Sequence, residues 1–102
     1  MTQESTATVT KDKIVDKIDE PGMYKVVMLN DNLTPMDFVV NVLMSIFKHA
    51  ENKANAIMQK IHNDGEGIAG IYTYEIAEQK GVEVTVLARE QGYPLAIKIE
   101  PV

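Results

Sequence analysis

The chain has 102 residues, 45% of them hydrophobic, with a net charge of -5 and no cysteine. Such a length suits one domain of modest stability, and the acidic balance argues against a nucleic-acid binder, whose affinity comes largely from Lys and Arg neutralising phosphates. Without Cys there is neither a disulfide framework nor a thiolate metal site, two His give no recognisable zinc spacing, and no run approaches the roughly 20 apolar residues of a membrane span.

Met1 to Glu20 is rich in Thr, Ser, Lys, Asp and Glu, with Val9, Ile14, Val15 and Ile18 its larger apolar residues. It buries too little surface to offset the entropy of ordering, so residues 1–22 read as a flexible N-terminal extension closed by Pro21-Gly22, with at most a transient amphipathic turn at Lys11 to Ile18. The start lacks the basic and apolar regions of a signal peptide, which with the missing Cys fits a cytoplasmic protein. Residues 23–102 remain as the folded domain.

Tyr24 to Leu29 is short, apolar and β-branched, the signature of a strand, and stops at Asn30, Asp31 and Asn32, whose side chains bond local backbone in turns. Thr34-Pro35-Met36-Asp37 reads as a helix start, with Thr34 as N-cap, Pro35 in the first helical position and Asp37 closing a capping box. Phe38, Val39, Val42, Leu43, Ile46 and Phe47 then recur at helical spacing. A second helix carries Ala54, Ile57, Met58 and Ile61 on one face, begins poorly capped at Ala50 and ends at Asn63-Asp64-Gly65.

Gly67 to Thr73 reads as a second strand. Glu75 to Gln91 is ambiguous: Ile76, Ala77, Gly81, Val84, Leu87 and Ala88 fit one helix face, whereas Val82, Val84 and Val86 alternating with Glu83 and Thr85 fit a strand. Its length, with Thr73 before and Gly92 after, favours a helix. Leu95 to Glu100 is the last strand, between Pro94 and Pro101. The order β-α-α-β-α-β predicts an α/β sandwich with one sheet face covered.

Three groups of residues are candidates for chemistry. Asn30 and Asp31 are explained locally as turn residues, His62 as a residue at a core edge or helix C-terminus, and Met28, Met36 and Met58 as core fillers, although flexible thioethers also line adaptable apolar pockets. A hydrolytic site built on Asp31 and His62 has no Gly-x-Ser-x-Gly, His-Glu-x-x-His or phosphate-cradling loop to support it. No enzymatic activity and no cofactor are expected.

The segment Met23-Tyr24-Lys25-Val26-Val27-Met28-Leu29-Asn30-Asp31-Asn32-Leu33-Thr34-Pro35-Met36-Asp37-Phe38-Val39 closely resembles the signature of the ClpS family. The likeness continues through Met58, Ile61 and His62, then Gly70-Ile71-Tyr72-Thr73, Glu75-Ile76-Ala77-Glu78, Ala88-Arg89-Glu90 and Pro94-Leu95. It implies a three-stranded antiparallel sheet with three helices, like the C-terminal domain of the ribosomal stalk protein. It also implies a monomeric adaptor of N-end rule proteolysis, which binds proteins by an unblocked N-terminal Leu, Phe, Tyr or Trp. The adaptor passes them to the N-terminal domain of a ClpA-like or ClpC-like AAA+ unfoldase.

By the same resemblance Asn30, Asp31 and His62 hold the substrate α-amino group. Met28, Thr34, Met36, Val39, Met58, Ile61 and Leu95 line the side-chain pocket, with Met36 as a gate against β-branched residues. Glu75 and Lys80 contact the unfoldase, and the N-terminal extension serves delivery. Asn32 stands where many members have Asp, and Leu33 where an aromatic residue is common, so the pocket rim is less acidic. The alternative is a structural interaction domain of the stalk-protein kind, which needs no pocket.

Overall fold

The computed structural model describes residues 22–102, so the extension and the turn expected at Lys11 to Ile18 lie outside the described residues. Six elements follow in the order β1 (Met23–Leu29), α1 (Met36–Ser45), α2 (Glu51–Asp64), β2 (Glu66–Thr73), α3 (Tyr74–Glu90) and β3 (Ala96–Pro101). The strands form one antiparallel sheet in the order β2-β1-β3, which puts β1, the most apolar strand, in the centre. This is the architecture expected from the element order.

The helices cover one sheet face. Alternate β1 residues Val26 and Met28 join Ala69, Leu95 and the inner faces of α1, α2 and α3 in a single core. Between them on β1, Val27 points the other way and is buried under a chain of ion pairs, Glu66–Lys98 and Lys98–Glu100 at 3.1 Å and Lys25–Glu100 at 3.9 Å. Hydrogen bonds to Glu100 and Glu66 push the Lys98 ammonium above its ordinary range. The second face thus carries charged pairs over β1 and β3, with Ile68 and Ile71 of β2 exposed beside them.

A bulge in β2 decides which β2 side chains reach the core. Val26 pairs with Gly70 and Val27 with Ile68, so Ala69 is an extra residue opposite no partner. Its carbonyl accepts a hydrogen bond from His49 Nε2 at 2.6 Å. Beyond the bulge the alternation is shifted by one residue, and Tyr72 is carried to the helix side. There its ring lies over Gly70, faces Phe47 at 6.3 Å and has Lys80 Nζ 5.5 Å from its centre.

α2 matches its expected face, with Ala54, Ile57, Met58 and Ile61 buried, no side-chain cap at Ala50 and a left-handed Gly65 (φ 91°) at its end. α3 is a helix throughout, which removes the strand alternative for Val82 to Val86. Ala77, Gly81, Val84 and Ala88 face the core as expected, but Ile76 is 45% exposed, because α3 meets the sheet along its smallest residues. Gly92, in the left-handed conformation at φ 81°, turns the chain back toward β3, which begins at Ala96, one residue later than expected.

The expected start of α1 needs correction. Pro35 is the N-cap, in extended conformation, and no side chain caps the helix. Thr34 lies one residue before the cap, because the first helical bonds run from Phe38 and Val39 N–H to the Pro35 carbonyl, and its hydroxyl donates to Asp31 Oδ2 at 2.8 Å instead.

Candidate functional site: the elbow between β1 and α1

Asp31 organises the elbow. Its Oδ1 accepts from the backbone N–H groups of Leu33 (2.8 Å) and Thr34 (2.7 Å), and its Oδ2 from the Thr34 hydroxyl (2.8 Å). Partial burial alone would raise the carboxyl pKa, but the bonds from Thr34 and Leu33, with the Arg89 charge, outweigh it and hold the group below its ordinary value of 3.8. A carboxylate offers about four acceptor directions, so three bonds leave one for a further donor. Turn chemistry, expected from the residue types, is therefore present here in full.

His62 reaches the same end of the sheet through α2. It stands in the last turn of α2, three residues before Gly65, whose carbonyl accepts the Asn30 N–H at 2.9 Å. Antiparallel pairing of Leu29 with both Glu66 and Ala96 draws the starts of β2 and β3 to this end as well. Asn30 and His62 are exposed, and Asp31 is half-buried between water and the fold.

The expected pocket residues differ in exposure. Met28, Val39, Met58, Ile61 and Leu95 belong to the one buried core, whereas Thr34 is half-buried and Met36 is 43% exposed on the first turn of α1. Surface grooves flank α3 at Val82 and Val86 and run beside β2 at Ile68, and none of the pocket residues lines them. Asn30, His62 and Met36 are thus exposed, whereas Met28 and Met58 are packed in the core.

Glu75 and Lys80 are not part of this cluster. Glu75 sits in the first turn of α3, beside Tyr74, whose ring meets Tyr24 edge-on at 5.0 Å near the beginning of β1. The length of β1 separates that end from the elbow by roughly 20 Å at the usual strand rise. Lys80 is half-buried and donates to the Ile46 carbonyl at 2.9 Å, tying α3 to the end of α1.

Two groups at the elbow end escaped the reading of the sequence. Arg89 Nη1 donates to the carbonyls of Tyr93 (2.9 Å) and Leu95 (3.0 Å), and the Tyr93 ring meets Phe38 edge-on at 4.9 Å. A basic residue in the last turn of a helix, just before Gly92, was the visible signal. Its partners are set by the path of the following loop, which local sequence does not specify.

Comparison with known proteins agrees with this architecture. The family model described as ATP-dependent Clp protease adaptor protein ClpS matches residues 19–98. The ATP-dependent Clp protease adapter protein ClpS of Helicobacter hepaticus is 51% identical over 83 residues, covering 81% of this chain and 84% of that protein. The protein of the same name from Bdellovibrio bacteriovorus is 47% identical over 88 residues, covering 86% and 77%. Among solved structures, Agrobacterium tumefaciens ClpS2 bound to L-phenylalaninamide superimposes with a TM-score of 0.78 at 37% identity, covering 81% of this chain and all of that one.

Proposed function

The chain belongs to the ClpS family of ATP-dependent Clp protease adaptors, and on that premise we propose that the elbow receives the first residue of a protein marked for degradation by its N-terminus. The observation that carries this reading is that Asn30, Asp31 and the last turn of α2, bearing His62, come to one end of the sheet, while Met28, Val39, Met58, Ile61 and Leu95 share the buried core. A protonated α-amino group has three donors and a positive charge. An amide oxygen, the remaining acceptor direction of Asp31 and a neutral imidazole nitrogen are three acceptors that suit it. An internal peptide nitrogen has one donor and no charge, so it gains little there.

The ligand of the Agrobacterium relative, L-phenylalaninamide, has this chemistry: a free α-amine, a bulky apolar side chain and an amide where a peptide would continue. Here a Leu, Phe, Tyr or Trp side chain enters past Met36 and is accommodated by displacement of the flexible thioethers of Met28 and Met58. Burying such a side chain contributes roughly 1.5 to 3 kcal/mol. In this reading Met36, exposed on the first turn of α1, is the gate that clashes with a side chain branched at Cβ.

The role is delivery, with the chemistry of proteolysis left to the protease. Glu75, at the opposite end of the sheet, leaves room for an AAA+ unfoldase of the ClpA or ClpC kind to be bound while a substrate occupies the elbow. Lys80 supports that face through its bond to Ile46. Residues 1–22 act in delivery, and residues 23–102 in recognition.

Fluorescence anisotropy with peptides beginning with Leu, Phe, Tyr, Trp, Ile or Val, each free or acetylated, tests this function. The free bulky residues are expected to bind best. His62→Ala should weaken them by roughly 10-fold or more, the value of one bond to a charged group, without lowering the melting temperature. Equal binding of free and acetylated peptides would defeat the reading.

A further inference from the structure

We propose that Arg89 is a positioning residue for side-chain selectivity, holding the Tyr93–Leu95 segment in place as one wall of the pocket. The inference rests on the N-terminal recognition reading above. Arg89 stands in the last turn of α3, and Gly92 reverses the chain immediately after it. The reversal brings the carbonyls of Tyr93 and Leu95 back to one nitrogen of the guanidinium, at 2.9 and 3.0 Å.

One end of that clamped segment is itself a proposed pocket residue, and the other packs against the helix that carries Met36. Leu95 is 1% exposed and packs in the core with Met28, Val39, Met58 and Ile61. Tyr93 meets Phe38, two residues beyond Met36 on α1, at 4.9 Å. Arg89 therefore sets the position of the Leu95 wall and, through Tyr93 and Phe38, supports the first turn that carries Met36. Pro94 between the two carbonyls has no N–H with which to anchor the segment itself.

A guanidinium suits this task because its two Nη1 hydrogens lie in a fixed plane and direct two bonds at once. A lysine ammonium keeps the charge without that planar geometry. Phe and Leu side chains differ in shape more than in hydrophobicity, so a displaced wall changes their relative fit.

The test compares the full chain with Arg89→Met and Arg89→Lys, measuring anisotropy with peptides beginning with free Phe, free Leu and acetylated Phe, and the melting temperature of each variant. The Phe-to-Leu affinity ratio is expected to move by about threefold or more in Arg89→Met, within the range by which apolar pockets discriminate, with Arg89→Lys intermediate. A ratio that stays fixed while both affinities fall in step with melting temperature would overturn the proposal. Should Arg89→Met fail to fold, the folded Arg89→Lys protein decides by the same ratio. If the unmodified chain does not prefer free over acetylated Phe, the parent function fails and this inference with it. An intact preference with an unmoved ratio defeats this inference alone.

Discussion

Asp31 shows how one carboxylate can organise a turn and still keep an acceptor direction for the proposed α-amine. Three of its acceptor directions fix Leu33 and Thr34, and these bonds keep its pKa below 3.8 despite its partial burial. A group whose folded pKa is depressed stabilises the fold above its unfolded value, and that contribution disappears as pH falls through the folded value. The melting temperature should therefore decline on acidification from about pH 5 toward about pH 3, with a shallower decline in Asp31→Asn. Asn retains one carbonyl oxygen for the two backbone N–H groups but carries no charge, so the elbow is expected to persist while the proposed attraction for an α-amine weakens. Identical acid limbs in the two proteins would show that Asp31 does not contribute. Residue types alone revealed the turn chemistry of Asp31, yet they misassigned Thr34, because the helix begins one residue later, with the Pro35 carbonyl accepting its first bonds.

Among the elements, those with strong periodicity were legible. The face of α2 and its terminating Gly65 followed from spacing and from the freedom of glycine at positive φ. α3 was less clear, since valines at alternate positions serve either element, and its length and flanking residues favoured the helix that forms. Ile76 was misplaced because the sheet selects Ala77, Gly81, Val84 and Ala88 for close approach. The uncapped start of α2 gives a direct test. Ala50 already has extended geometry (φ -67°, ψ 160°), so Ala50→Ser needs no backbone change to bring an oxygen toward the exposed helix N–H groups. It should add about 1 kcal/mol of stability. Thermal denaturation would register this as a rise of about 4 to 8 °C, and no rise would mean that water already satisfies the terminus equally well.

The whole molecule depends on how closely its helix layer approaches the sheet. A Cβ placed on Gly67 would sit 2.8 Å from Ile61 Cγ1, so Gly67→Ala must displace the buried Ile61 side chain or the α2 backbone that carries it. A cost of about 1 to 3 kcal/mol is expected from such overpacking. Chemical denaturation measures it, and an unchanged midpoint would mean that Ile61 shifts freely. By itself the sequence determined the six elements, their order, the two-layer architecture and the family, because these rest on local periodicity, turn chemistry and a long contiguous motif. Tertiary structure alone decided the rest. The bulge at Ala69 that carries Tyr72 to the core, the Arg89 bonds to Tyr93 and Leu95, the release of Thr34 from its expected cap and the separation of Glu75 from the elbow all depend on strand register and loop path. Those are set when distant segments pair, and no window of neighbouring residues contains that information.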